Sequence, residues 1–78
     1  MKDLVEYIAR SLVNDPMEVQ VDQRGHGSKV YLNLRVAKED MGRVIGKGGR
    51  VANAIRQLLR VAAAQEGKHA SLDIDDPR

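Results

Sequence analysis

The apolar positions of this chain follow two periods, one near 3.6 residues and one of two residues. Leu4, Val5, Ile8 and Leu12 recur at helical spacing and predict an opening helix with one apolar stripe. Asp3 and Glu6 form a D-x-x-E start signal, a variant of the capping box. Asn14-Asp15-Pro16 ends the helix, because the residue before a proline avoids helical backbone angles. Met17, Val19 and Val21 then alternate with Glu18, Gln20 and Asp22, which predicts a half-buried strand. Gly25-His26-Gly27-Ser28 reads as a turn. Beyond it Val30, Leu32, Leu34 and Val36 alternate with Tyr31, Asn33 and Arg35, so the two strands make a β-hairpin. Residues 37–44 predict a helix of about two turns, with Met41 and Val44 facing inward. Gly46 to Gly49 breaks it, and a longer helix begins near Arg50. Its apolar residues are Val51, Ile55, Leu58, Leu59 and Ala62, and Gly67 ends it. Ala70, Leu72 and Ile74 alternate with Ser71, Asp73 and Asp75 in a third strand, and Asp76-Pro77-Arg78 forms a tail.

The order is α-β-β-α-α-β. Each strand has one apolar face, so the expected fold is α+β, with three helices on one face of a three-stranded sheet. The 78 residues allow one domain, spanning 1–78. The other sheet face shows Glu18, Gln20, Asp22, Tyr31, Asn33, Arg35, Ser71, Asp73 and Asp75, a polar and on balance acidic surface that should not attract a polyanion. The only aromatic residues are Tyr7 and Tyr31, which argues against recognition by stacked rings. A nucleic-acid site, if there is one, belongs on the helical side.

Composition removes several function classes. Without cysteine there is neither a disulfide nor a thiolate metal site, which suits a reducing compartment. No apolar run approaches the ~18 residues needed to cross a bilayer. The start, Met1-Lys2-Asp3-Leu4-Val5-Glu6, is acidic too early for a signal peptide. The expectation is a soluble cytoplasmic protein with no membrane partner. His26 and His69 have no partner at metal-ligand spacing, and Asp73 and Asp75 are simply the exposed positions of a strand. No pairing suggests a nucleophile with its base. The chain is therefore expected to be no enzyme, with no metal, no cofactor and no small-molecule substrate.

Charge changes the picture through its distribution. Of 13 basic residues, Arg43, Lys47, Arg50, Arg56 and Arg60 fall between Met41 and Gln65, a stretch without Asp or Glu; the other eight share the rest of the chain with all 11 acidic residues. At the centre of the basic stretch lies Ile45-Gly46-Lys47-Gly48-Gly49. Glycines let a backbone come close to a ligand, and N–H groups at a helix start suit a phosphate. A P-loop would need glycine where Met41 stands and a hydroxyl residue where Gly48 stands. A dinucleotide fingerprint would need glycine at Val51 and a preceding strand, not a helix. Both readings fail.

The run Val44-Ile45-Gly46-Lys47-Gly48-Gly49-Arg50-Val51-Ala52-Asn53-Ala54-Ile55 resembles the core of the KH domain, an apolar pair, then G-x-x-G, then the apolar residues of a helix. The element order is similar to the type II, bacterial arrangement. The length, the early D-x-x-E and Gly42-Arg43-Val44-Ile45-Gly46-Lys47 resemble the small stand-alone bacterial KH proteins, over essentially the whole chain. The resemblance implies that the turn at 46–49 clamps about four nucleotides of single-stranded RNA, with bases in an apolar groove between the turn's helices and the edge of the second strand. It implies that Gly46 and Gly49 shape the turn, that Lys47 and Gly48 form its tip, and that Ile45 and Ala52 line the groove, with Val36 near its strand edge. Arg43, Arg50 and Arg56 would supply the field. Alanine at 52, where many relatives carry a large aliphatic residue, predicts a wider or shallower groove.

One such module binds weakly, so the resemblance also implies a homodimer, or a heterodimer with a larger KH-containing protein, acting as an RNA chaperone or post-transcriptional regulator. Alternatives stay open on the residues. Gly46 and Gly49 also suit a plain helix cap and turn, and Arg56 and Arg60, spaced i, i+4, suit a solvated helix face. Two other readings stay open as well: a scaffold mainly for protein interaction and dimerisation, and a ribosome-associated assembly factor.

Overall fold

The computed structural model describes residues 1–75; the predicted tail at 76–78 lies outside them. Its elements are α1 (Lys2–Leu12), β1 (Gln20–His26), β2 (Lys29–Arg35), α2 (Met41–Ile45), α3 (Arg50–Gln65) and β3 (His69–Ile74), with single 3-10 turns at Pro16–Glu18, Lys38–Asp40 and Lys47–Gly49. The sheet order is β1-β2-β3. β1 and β2 are antiparallel, with Val21 opposite Leu34 and His26 opposite Lys29. β2 and β3 are parallel, with Leu32 opposite Leu72. The α2–α3 crossover is what permits that parallel pairing, since parallel neighbours cannot be joined by a tight hairpin. This is the expected α+β arrangement, an α-β-β-α-α-β order that fits a single KH domain.

The core is a sandwich of the sheet's inner face and one row from each long helix. Val21, Val30, Leu32, Leu34 and Leu72 come from the strands, Val5 and Ala9 from α1, Val44 from α2, and Ile55 and Leu59 from α3. Leu34 and Leu59 rank among the largest fully buried side chains. Burying such a leucine stabilises the fold by roughly 2 kcal/mol.

Several local expectations are corrected. The capping box does not form: α1 begins at Lys2 after Met1 and has no side-chain cap. Glu6 instead pairs with Arg10 one turn on, at 3.2 Å. The helix stops at Leu12, before the proline signal, and Ala9 takes an inward place that the pattern gave to Leu12, which is exposed. Met17 lies in a 3-10 turn and is 89% exposed, so the first strand begins only at Gln20. The hairpin turn is tighter than the four residues predicted: only Gly27 and Ser28 lie outside the strands, and Gly27 adopts φ of 56°. The helix predicted over 37–44 divides into a 3-10 turn and the five-residue α2.

On α3 the buried row is Ala52, Ile55, Leu59 and Ala63. Leu58 is 54% exposed and no part of the core. Neighbours on a helix differ by about 100° in direction, so α3 cannot turn both Leu58 and Leu59 onto one flat sheet. The open sheet face is also not acidic. Glu18 lies in the turn before β1, and the outward positions include Arg24 and Lys29 beside Arg35, matching Asp22, Asp73 and Asp75 in number.

Candidate nucleic-acid interface

The turn joining α2 to α3 requires glycine for two different reasons. Gly46, Gly48 and Gly49 have φ of 76°, 64° and 79°, where residues with a Cβ are strained. Gly46 is also sterically closed: a Cβ there would lie 2.5 Å from Val51 Cγ2 and 2.9 Å from the Val51 nitrogen. At Gly48 nothing lies within 4 Å of an added Cβ. Gly46 thus fixes the packing of the turn on α3, while Gly48 leaves its tip bare. The turn is held by Gly46 N–H donating to the Gly42 carbonyl at 2.9 Å and Gly49 N–H donating to the Gly46 carbonyl at 3.1 Å.

Gly49 is the N-cap of α3, which has no side-chain cap and no acidic residue in its first turn. The preceding 3-10 turn takes the first N–H groups, Gly49 donating to Gly46 and Arg50 to the Lys47 carbonyl, but no acidic side chain offsets the positive end of the helix dipole, a favourable setting for an anion. Lys47, Gly48 and Arg50 are exposed around it. Lys47 and Arg50 form no ion pair among the described residues. The structure thus brings Gly46, Lys47, Gly48, Gly49 and Arg50 together in one surface feature. Ile45 is half-buried beside it, and Ala52 is 3% exposed, so it adds almost no surface of its own.

Arg43 and Arg56 behave differently from Lys47 and Arg50. Arg43 Nε lies 3.5 Å from Asp40 Oδ1, although its side chain is 52% exposed. Arg56 is half-buried; its Nε donates to the Leu72 carbonyl of β3 at 3.1 Å and its Nη1 to Asn53 Oδ1 at 3.3 Å.

The strand edge beside α3 also differs from the expected one. β2 is the central strand, paired on both sides, and Val36 is buried in the core. The edge beside α3 belongs to β3, β1 being the other outer strand. His69 N–H donates to Ser28 and Asp75 N–H to Leu34, so the odd positions bond toward β2. The peptide groups of 70, 72 and 74 then point outward, consistent with the Leu72 carbonyl meeting Arg56. Between α3 and this edge lies a cavity of about 220 Å³ lined by Arg56, Leu59, Arg60, Ala70, Ser71 and Leu72. Arg60, which sequence leaves as a possible solvated residue, therefore borders a groove. No periodicity argument reaches this, because strand order is not written in any one strand.

Asp40 escapes the sequence reading altogether. It is 2% exposed. Its two carboxylate oxygens accept the N–H groups of Asn14 and Asp15, at 3.0 and 3.1 Å. A buried carboxylate needs such partners to offset lost hydration. It ties the chain leaving α1 to the start of the helix carrying the glycine turn. Its position just before α2 is an N-cap signal, but it accepts backbone N–H groups of a distant segment and none of its own helix.

A helix, a glycine turn with a bare cationic tip and a second helix, set on one face of a three-stranded α+β sheet, define a KH domain. The family model described as KhpA/KhpB, KH domain, matches residues 2–74, and the chain belongs to that family. It is 50% identical to the RNA-binding protein KhpA of Clostridium acetobutylicum, over 95% of this chain and 99% of that one. It is 47% identical to the RNA-binding protein KhpA of Treponema pallidum, over 96% and 94%. It is 38% identical to that of Chlamydia trachomatis, over the full length of both.

Proposed function

We propose that this chain binds single-stranded RNA through the Gly46–Gly49 turn and the adjoining groove, and acts as an RNA chaperone or post-transcriptional regulator. The observation that carries the reading is the positive end of α3, with no acidic residue in its first turn, beneath a tip with no side chain at Gly48 and flanked by Lys47 and Arg50, which are unpaired among the described residues. The RNA-binding proteins among its relatives support it. Phosphates meet the N–H groups and cations, and bases turn toward the groove.

Affinity from one small module calls for a second, supplied by another copy of this chain or by a larger KH-containing partner. Leu58 and Val61, 54% and 61% exposed on α3, give such a partner apolar surface. Leu58 lies about 160° around the helix from Arg56, so pairing there leaves the groove open. That apolar surface also favours the second reading, a scaffold whose main task is dimerisation.

The test is binding of a mixed single-stranded RNA pool by the wild type and by Gly48→Asp at several salt concentrations, with circular dichroism as fold check. An aspartate at 48 has room for its Cβ but places a carboxylate where a phosphate belongs. The wild type should show log K falling against log salt with a slope of roughly −2, for about three phosphate contacts on a single strand. The folded variant should lose that binding. Equal binding by both, or none by either, rejects the turn as clamp and leaves the scaffold reading.

A further inference from the structure

Arg56 changes what the groove beside α3 can offer a base. The outward carbonyl of Leu72 is an acceptor at the outer edge of β3, and one of its two lone pairs already accepts from Arg56 Nε. A guanidinium has five N–H donors in a rigid plane. Two of them go to Leu72 and Asn53, which lock the plane against the strand edge, and the others remain unassigned among the described residues. The cavity there, about 220 Å³, is bordered by a second donor-only side chain, Arg60, by Ser71 at the strand, and by no carboxylate among the described residues. The strand has thus exchanged a carbonyl acceptor for a fixed arginine donor face at the point where the groove meets it.

We infer that Arg56 is a specificity-determining residue that makes the groove select bases bearing a carbonyl oxygen and reject adenine. Guanine, uracil and cytosine each present a carbonyl oxygen that can accept from the guanidinium, and guanine adds N7 beside O6 for two-point acceptance. Adenine has no carbonyl; its acceptors are single ring nitrogens, and N1 and N7 each stand beside the exocyclic amine, a donor, so neither edge offers two-point acceptance. With the Leu72 carbonyl engaged by Arg56, a guanidinium that bonds either nitrogen turns its second N–H toward that amine. A donor facing a donor loses its water without gaining a partner, which is the costly outcome for a desolvated polar group. The inference rests on the proposed RNA-binding reading and narrows it to a base preference.

The experiment is selection from a fully randomised single-stranded RNA octamer pool, sequencing the fraction bound by the wild type, Arg56→Gln, Arg56→Lys and Gly48→Asp. The wild-type fraction should be depleted of adenine at one position of a recurring short word by at least about fivefold, the low end of what one arginine–base pair discriminates. Arg56→Gln should bind the pool with that depletion gone. Arg56→Lys keeps the charge but not the planar fork, and should retain the salt slope while relaxing the preference. If Arg56→Gln fails to fold by circular dichroism, Arg56→Lys decides. Wild-type binding without adenine depletion, or depletion that persists in the folded Arg56 variants, overturns the inference while loss of binding in Gly48→Asp keeps the turn as clamp. No binding by the wild type overturns both.

Discussion

On the helical side, Lys47 and Arg50 stand exposed without a carboxylate partner among the described residues, beside a helix start with no side-chain cap and no acidic residue in its first turn. On the open sheet face, Arg35 lies 3.3 Å from Asp75, which also accepts from Asn33 at 2.8 Å. Arg24 there shares a shallow depression with Asp22, Asp73 and Asp75. Both surfaces carry arginine. They differ in whether the positive charge is compensated by a neighbour and whether backbone donors point the same way. An anion is drawn to the uncompensated side, since a local ion pair has a weak field at a distance and salt screens what is left. Counting charges along the chain is a poor guide to this, because the sheet pairs residues far apart in sequence, as in Arg35 and Asp75.

The comparison can be broken most severely at Gly46. Gly46→Ala puts a Cβ into Val51 at a backbone conformation that suits glycine alone. Strain and overpacking together should cost about 3–5 kcal/mol, comparable with the whole stability of a domain this small. Loss of the cooperative urea transition is the expected result, whereas Gly48→Asp, with an open site, should keep its transition.

Asp40→Ala is the next step down. It removes the acceptor for the Asn14 and Asp15 N–H groups and leaves Arg43 without its carboxylate. A loss of about 2–3 kcal/mol is expected from two charge-assisted bonds, read as a lower urea midpoint with an unchanged slope. The smallest effect belongs to the sheet face. Asp75→Asn loses a partly exposed ion pair worth no more than about 1 kcal/mol and should leave RNA affinity as it was. A marked change in RNA affinity in that variant would place RNA on the sheet face and erase the contrast between the two sides.

Much of the architecture was legible because it follows local rules. Val30, Leu32 and Leu34 declared an inward strand face by alternation alone, and all three are buried. The glycine turn was legible because only glycine occupies φ near 70° freely, and Gly46, Gly48 and Gly49 all do so. Met17 and Leu58 were misplaced for the complementary reason. An apolar residue at a pattern boundary has no local cue for which side it faces, and both proved exposed.

The sequence by itself determined the element order, the apolar faces and the site of the cationic turn, since period, glycine and charge act between near neighbours. Tertiary structure alone decided that β2 is central and β3 supplies the edge beside α3, that Asp40 reaches back to Asn14 and Asp15, and that Arg56 is locked onto Leu72. Each of these joins segments 16 or more residues apart. Such contacts form only when packing of the common core brings the segments together, and no local pattern encodes that geometry.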